Sequence, residues 1–160
     1  MSNDLQLNLF EMPAPYLALS AETANPGAPT RPRLAASDAD FAEFITRLSN
    51  AEFFAFDTET TGLDITEDKP IGMSFSTAEG KAFYVPLVAK HLADLTPEDV
   101  IEGVKPFFAD TKKTKTAHNL KFDLQMLANI GISASPPFGD TMLASYVVDA
   151  TAREHGLDAL

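Results

Sequence analysis

From Ser37 onward the apolar positions change period several times, and each change predicts a new element. Phe41, Phe44, Ile45 and Leu48 recur at three- and four-residue spacing, which predicts a helix capped by Ser37 or Asp38. Phe53-Phe54-Ala55-Phe56 is a continuous apolar run with the length and aromatic content of a buried strand, and Thr60-Thr61-Gly62 ends it. Residues 71–77 alternate Ile71, Met73 and Phe75 against Gly72, Ser74 and Ser76. Residues 81–87 place Phe83, Val85 and Leu87 on one face, and the short Glu79-Gly80 turn makes the two segments an antiparallel hairpin. The helical period returns at Thr96-Pro97-Glu98-Asp99, a cap followed by a first-turn proline and early acids, with Val100, Val104, Phe107 and Phe108 as the apolar face. After the basic loop Lys112–Lys115, a short strand leads into Asn119 and a helix runs to about Gly131. Pro136-Pro137-Phe138 then approaches a last helix, capped by Asp140, that is expected to bury Met142, Leu143, Tyr146 and Val147. Three antiparallel strands followed by alternating helix and strand predict an α/β fold, a mixed sheet flanked by helices on both faces.

Residues 1–36 read differently. They hold Pro13, Pro15, Pro26, Pro29 and Pro32 and no sustained period, the signature of a leader or linker, although Leu5 to Phe10 forms a short apolar patch. One domain over 37–160 is therefore expected. The chain has no cysteine, which excludes disulfides and thiolate metal sites. No apolar run approaches membrane-spanning length and the N-terminus has no positive n-region, so a cytoplasmic protein without a membrane partner is expected. The net charge of −11 disfavours a polyanion held by bulk electrostatics. Contact with nucleic acid would need a metal site, a local basic strip or a neighbouring domain.

The chemistry concentrates where the apolar strand runs out. Asp57 and Glu59 in FFAFDTETTGLD are two apart, so on a strand they leave the same face side by side. Two anions about 5 Å apart repel by roughly 3 kcal/mol at an effective dielectric near 20, a cost that a divalent cation reverses. In AHNLKFDLQMLANIGI (117–132), Asn119 and Asp123 fall one helical turn apart on a face shared with Leu120, Leu127 and Ile130. Asp123 is thus a charge on an apolar stripe and needs a cation, a donor or a wet cleft; Lys121, Lys115 or a backbone amide would also serve. Asp140 reads as a helix cap, His118 as a residue facing solvent or a backbone group, and Lys112, Lys113 and Lys115 as a charged turn in preference to phosphate contacts.

FDTETTGLD, AHNLKFDLQML and FGDTMLASYVVDATAREHGLDAL resemble, in order, segments of the 3′–5′ proofreading exonuclease domain of bacterial DNA polymerase I, within the DEDD exonuclease superfamily. The resemblance runs from about Phe41 to Leu160 and implies an RNase H-like fold. By resemblance, Asp57, Glu59 and Asp123 match catalytic metal ligands for two Mg²⁺ or Mn²⁺ ions. Thr58 lies between the first two, and Leu63 and Asn119 fall where the family contacts terminal nucleotides. The resemblance implies removal of nucleoside 5′-monophosphates from a single-stranded or frayed DNA 3′ end, with the rest of the polymerase chain as partner. The family completes its site with a third motif, a Tyr and an Asp four residues apart on a later helix. No such pair occurs before Leu160, so the domain reads as C-terminally incomplete and this chain alone is expected to be nearly inactive. Two other readings share the motifs: a stand-alone ribonuclease similar to ribonuclease D, and a catalytically silent DNA-positioning module.

Overall fold

Each change of apolar period marks a real boundary. The computed structural model describes residues 32–160, so residues 1–31 of the expected leader, with the Leu5–Phe10 patch, lie outside the described residues. The order is β1 (Arg33–Leu34), α1 (Asp38–Asn50), β2 (Phe53–Thr60), β3 (Pro70–Ala78), β4 (Lys81–Pro86), α2 (Pro97–Ala109), β5 (Thr114–Ala117), α3 (Leu120–Asn129), β6 (Phe138–Asp140) and α4 (Thr141–Val148). The helices start where the cap residues stand. Ser37 accepts from the Asp40 N–H, and Thr96 and Asp99 satisfy each other's backbone in a reciprocal capping box.

The strands form one mixed sheet in the order β1-β4-β3-β2-β5-β6. β2, β3 and β4 are an antiparallel meander; β5 and β6 run parallel to β2, and β1 runs parallel to β4. One face of this sheet packs on α1, α2 and α3. Its centre is aromatic: ring centroids lie 4.9 Å apart for Phe44–Phe75 and for Phe56–Phe108, and 5.5 Å apart for Phe54–Phe108, the last two edge-on. Such pairs add about 0.5–1.5 kcal/mol each beyond the area they bury.

Of the basic residues around the start of β5, Lys112 is exposed, and Lys113 and Lys115 are buried structure. Lys113 Nζ donates to the carbonyls of Ser49 at 2.8 Å and Ala51 at 2.5 Å, closing the end of α1. Lys115 is fully buried and donates to the carbonyls of Asp110 and Lys113. Burial pushes its ammonium pKa down.

Four features differ from the pattern reading. β1 and β6 have two and three residues, too few for a period to register, yet β1 extends the sheet ahead of Ser37 and Ala35 is fully buried in the core. Ile71, expected to be buried with Met73 and Phe75, is 36% exposed near the outer end of β3. Leu143, Tyr146 and Val147 of α4 are exposed and Met142 is half-buried, because the core lies between the sheet and α1–α3 and α4 contributes no residue to it. Asn119 stands outside α3, as its cap, in left-handed conformation with φ 65°. Among the described residues, no helix is long and apolar enough to cross a membrane.

Candidate active site

Alternation along β2 sorts the outer end of the strand into two faces. Phe54, Phe56 and Thr58 are buried toward the helices, while Asp57 and Glu59 are exposed on the opposite face, across from Ser74 and Gly72 of β3. β5 accompanies β2 only as far as Ala55, so the backbone beyond it lacks a strand partner on that side. α3 supplies one. Asp123 Oδ1 accepts from the Thr58 N–H at 3.0 Å and from the Thr58 hydroxyl at 2.7 Å. The amide partner foreseen for Asp123 is thus the backbone of the residue between the two other acids.

Burial and neighbouring charge act on two of the three carboxyls, Asp123 and Asp57. Asp123 is 2% exposed, and its pKa is pushed up to about 6, mainly by burial and further by the Asp57 charge, against the lowering effect of the Thr58 donors. The Asp57 pKa is raised by surrounding protein and by Glu59, and drawn back by His118. The site is nevertheless not a closed cage: among the described residues, no three His, Cys, Asp or Glu side chains stand close enough to hold a metal ion. The donor chemistry fits a hard divalent cation, since all three groups are carboxyls and a cation would offset the burial and the like charge that raise Asp57 and Asp123. Both Thr58 bonds use Oδ1 of Asp123, which leaves Oδ2 for another partner.

Leu63 and Asn119 stand in the turn after β2 and at the start of α3. Leu63 is 84% exposed in the turn after β2. That turn is braced: the Thr61 hydroxyl and the Asp64 N–H donate to Asp68 at 2.6 and 2.8 Å, and Asn129 of α3 donates to the Ile65 carbonyl at 2.8 Å. Asn119 is the cap of α3 and lies outside it, so the four-residue interval to Asp123 is not the turn of one helix that the spacing suggested, and its side chain makes no cap bond. Asp140 caps α3 instead, accepting from Leu120 N–H at 2.9 Å and Asn119 N–H at 3.3 Å. The same carboxylate caps α4 through the Met142 and Leu143 N–H groups at 2.9 and 3.2 Å.

Sequence reasoning did not bring His118 and Thr141 to this site. With Ala55, Asp57, Ser74 and Thr116 they line a cavity of about 430 Å³ on the open face of the sheet. His118 Nδ1 lies 2.9 Å from Thr141 Oγ1, whose hydroxyl lies 3.4 Å from the Ala117 carbonyl. Nε2 is buried without a hydrogen-bond partner. The two residues are 23 apart in the chain, and no local spacing announces the pair.

A family model described as 3′–5′ exonuclease matches residues 32–160. DNA polymerase I of Pseudomonas aeruginosa is 40% identical over an alignment of 131 residues that covers 76% of this chain and 14% of that protein. The chain thus spans about a seventh of the length of that curated relative. Among solved structures, Brucella melitensis NrnC with bound Mg²⁺ superposes with a TM-score of 0.56 at 25% identity, covering 69% of this chain and 51% of that one. RNase D of Escherichia coli, an exoribonuclease involved in structured RNA processing, shares the fold with a TM-score of 0.56 at 16% identity, over 72% of this chain and 28% of that one.

Proposed function

The chain belongs to the 3′–5′ exonuclease family of DNA polymerase I, and from that premise we propose that it is the proofreading exonuclease of a DNA polymerase I, hydrolysing the 3′-terminal phosphodiester of DNA to release nucleoside 5′-monophosphates. The observation that carries this reading is the junction at Thr58: two exposed acids flank a residue whose backbone and hydroxyl hold a third, buried acid. Asp57, Glu59 and Asp123 would hold two Mg²⁺ or Mn²⁺ ions. Such ions supply Lewis acidity and counter-charge at the scissile phosphodiester.

The remaining roles belong to the chain itself. Thr58 fixes Asp123 beside the pair. Leu63, raised on its braced turn, packs against the terminal base, and Asn119 offers its amide to the same nucleotide. A mismatched end frays more readily than a paired one and so reaches this single-strand site first. The 40% identity to a DNA polymerase I supports DNA over RNA as substrate, and the three retained acids support an active domain over a silent one. The rest of the polymerase is the partner chain in this reading, and its location is the cytoplasm.

Within the whole polymerase, 5′-labelled single-stranded DNA with Mg²⁺ should shorten stepwise from its 3′ end and yield 5′-mononucleotides. EDTA should stop the digestion and Mn²⁺ should restore it. Shortening from the 5′ end, products bearing a 3′-phosphate, or indifference to EDTA would each overturn the proposal. Leu63→Ala is expected to raise the KM for single-stranded DNA by up to about tenfold, the worth of one leucine's burial. Its melting temperature should not move, because the side chain is 84% exposed in the folded protein. An unchanged KM would remove Leu63 from the substrate contact.

A further inference from the structure

We propose that Tyr84 is a positioning residue for Glu59: its hydroxyl, carried across Gly72, orients the Glu59 carboxylate for the hydrolysis proposed above. The inference rests on that functional reading and adds a residue that neither the motifs nor their spacing single out.

The register of the meander sets two rows across the sheet. Asp57, Ser74 and Tyr84 form one, and Glu59, Gly72 and Pro86 form the next. Side chains in a cross-strand row project to the same face, so Tyr84 shares the open face with both acids. Its ring does not stay in its own row. A methyl group built on Gly72 would overlap the hydroxyl oxygen and Cζ of Tyr84, so the phenol lies over the residue directly opposite Glu59. Neighbouring strands are about 4.8 Å apart, so the residue beneath the phenol lies one strand spacing from the Glu59 backbone. The Glu59 charge is felt there: after burial, it is the second cause that raises the Tyr84 pKa. A protonated phenol donates, and an ionised carboxylate only accepts, so the two are matched in sense. The root of the ring is fixed as well, since β1 pairs Leu34 with Tyr84 and the Ala35 N–H donates to the Tyr84 carbonyl at 2.8 Å.

An aromatic ring covering a strand glycine also fills space, and phenylalanine would fill it equally. The hydroxyl separates the two roles. Tyr84→Phe is expected to lower kcat on single-stranded DNA at least about tenfold, the scale of one hydrogen bond to a charged group, with KM changed by less than about twofold. Without DNA, calorimetric titration should show Mn²⁺ bound several-fold more weakly by Tyr84→Phe, while the metal-free melting temperature stays put. Gly72→Ala, which displaces the phenol but keeps its hydroxyl, should reproduce the kcat loss, and combining the two substitutions should add little. Wild-type kcat or wild-type Mn²⁺ affinity in Tyr84→Phe overturns the proposal while the functional reading stands. A wild-type polymerase without metal-dependent 3′ digestion overturns both.

Discussion

Asp123→Asn should give a protein that melts higher than the wild type yet cuts DNA about 10²–10⁴-fold more slowly, because several kcal/mol of charge stabilisation at the phosphodiester are lost. The two effects share one cause. Asp123 is 2% exposed and its carboxyl pKa is lifted from 3.8 to about 6, mainly by burial. Between those values the folded protein holds a proton that the unfolded chain has released. Stability therefore falls as pH rises through that window and stays reduced above it. At neutral pH the ionised form costs at most about 3 kcal/mol, which corresponds to roughly 5–10 °C in melting temperature. Asparagine keeps an oxygen for the Thr58 N–H and hydroxyl and carries no charge. Calorimetry in EDTA should show the gain at pH 7.5 and its disappearance near pH 4. Mn²⁺ should raise the wild-type transition and leave the variant's in place. A variant that melts below the wild type at pH 7.5 would show that the charge at position 123 is not a burden in the metal-free fold.

Asp140→Ala should be the most damaging single change outside the core. Its carboxylate accepts from Asn119, Leu120, Met142 and Leu143, so one side chain closes the starts of two helices. At about 1–2 kcal/mol for each cap the loss is roughly 2–4 kcal/mol. The damage should reach the chemistry, because α3 carries Asp123 and Asn119 adopts its left-handed turn against this carboxylate. Asp140→Asn keeps an acceptor and should lose less than half as much. Urea unfolding of the three proteins measures this directly; an alanine variant within about 0.5 kcal/mol of the wild type, the range of an ordinary surface substitution, would mean that water replaces the carboxylate at both helix starts.

Period and charge placement showed in the sequence where the candidate acids would stand. Asp57 and Glu59 were legible because a period-two strand puts them on one face at its open end, and Asp123 because a charge on an apolar stripe demands a partner. The partner itself was not legible. Thr58 lies 65 residues from Asp123, and only the early end of β5 leaves its N–H for α3 to fill. Spacing also misread Asn119: a four-residue interval gives a shared helical face only if both residues are helical, and this one is the cap. The apolar positions of α4 were found, but periodicity shows that a face is apolar and not what covers it; Val147 is 75% exposed. The diagonal lean of Tyr84 over Gly72 is a property of register between strands, and no local pattern encodes it.

The two-residue β1 has a consequence beyond the site. Without it, β4 would present an open row of backbone donors and acceptors to any extended chain it met. Arg33 and Leu34 occupy that rim opposite Phe83 and Tyr84, and the Arg33 guanidinium lies 5.5 Å above the Phe83 ring while pairing with Asp40 and Glu43. A foreign strand would have to strip off a charged, paired lid before it could add to the ladder. At Phe83 and Tyr84 this opposes fibril-like self-templating on β4.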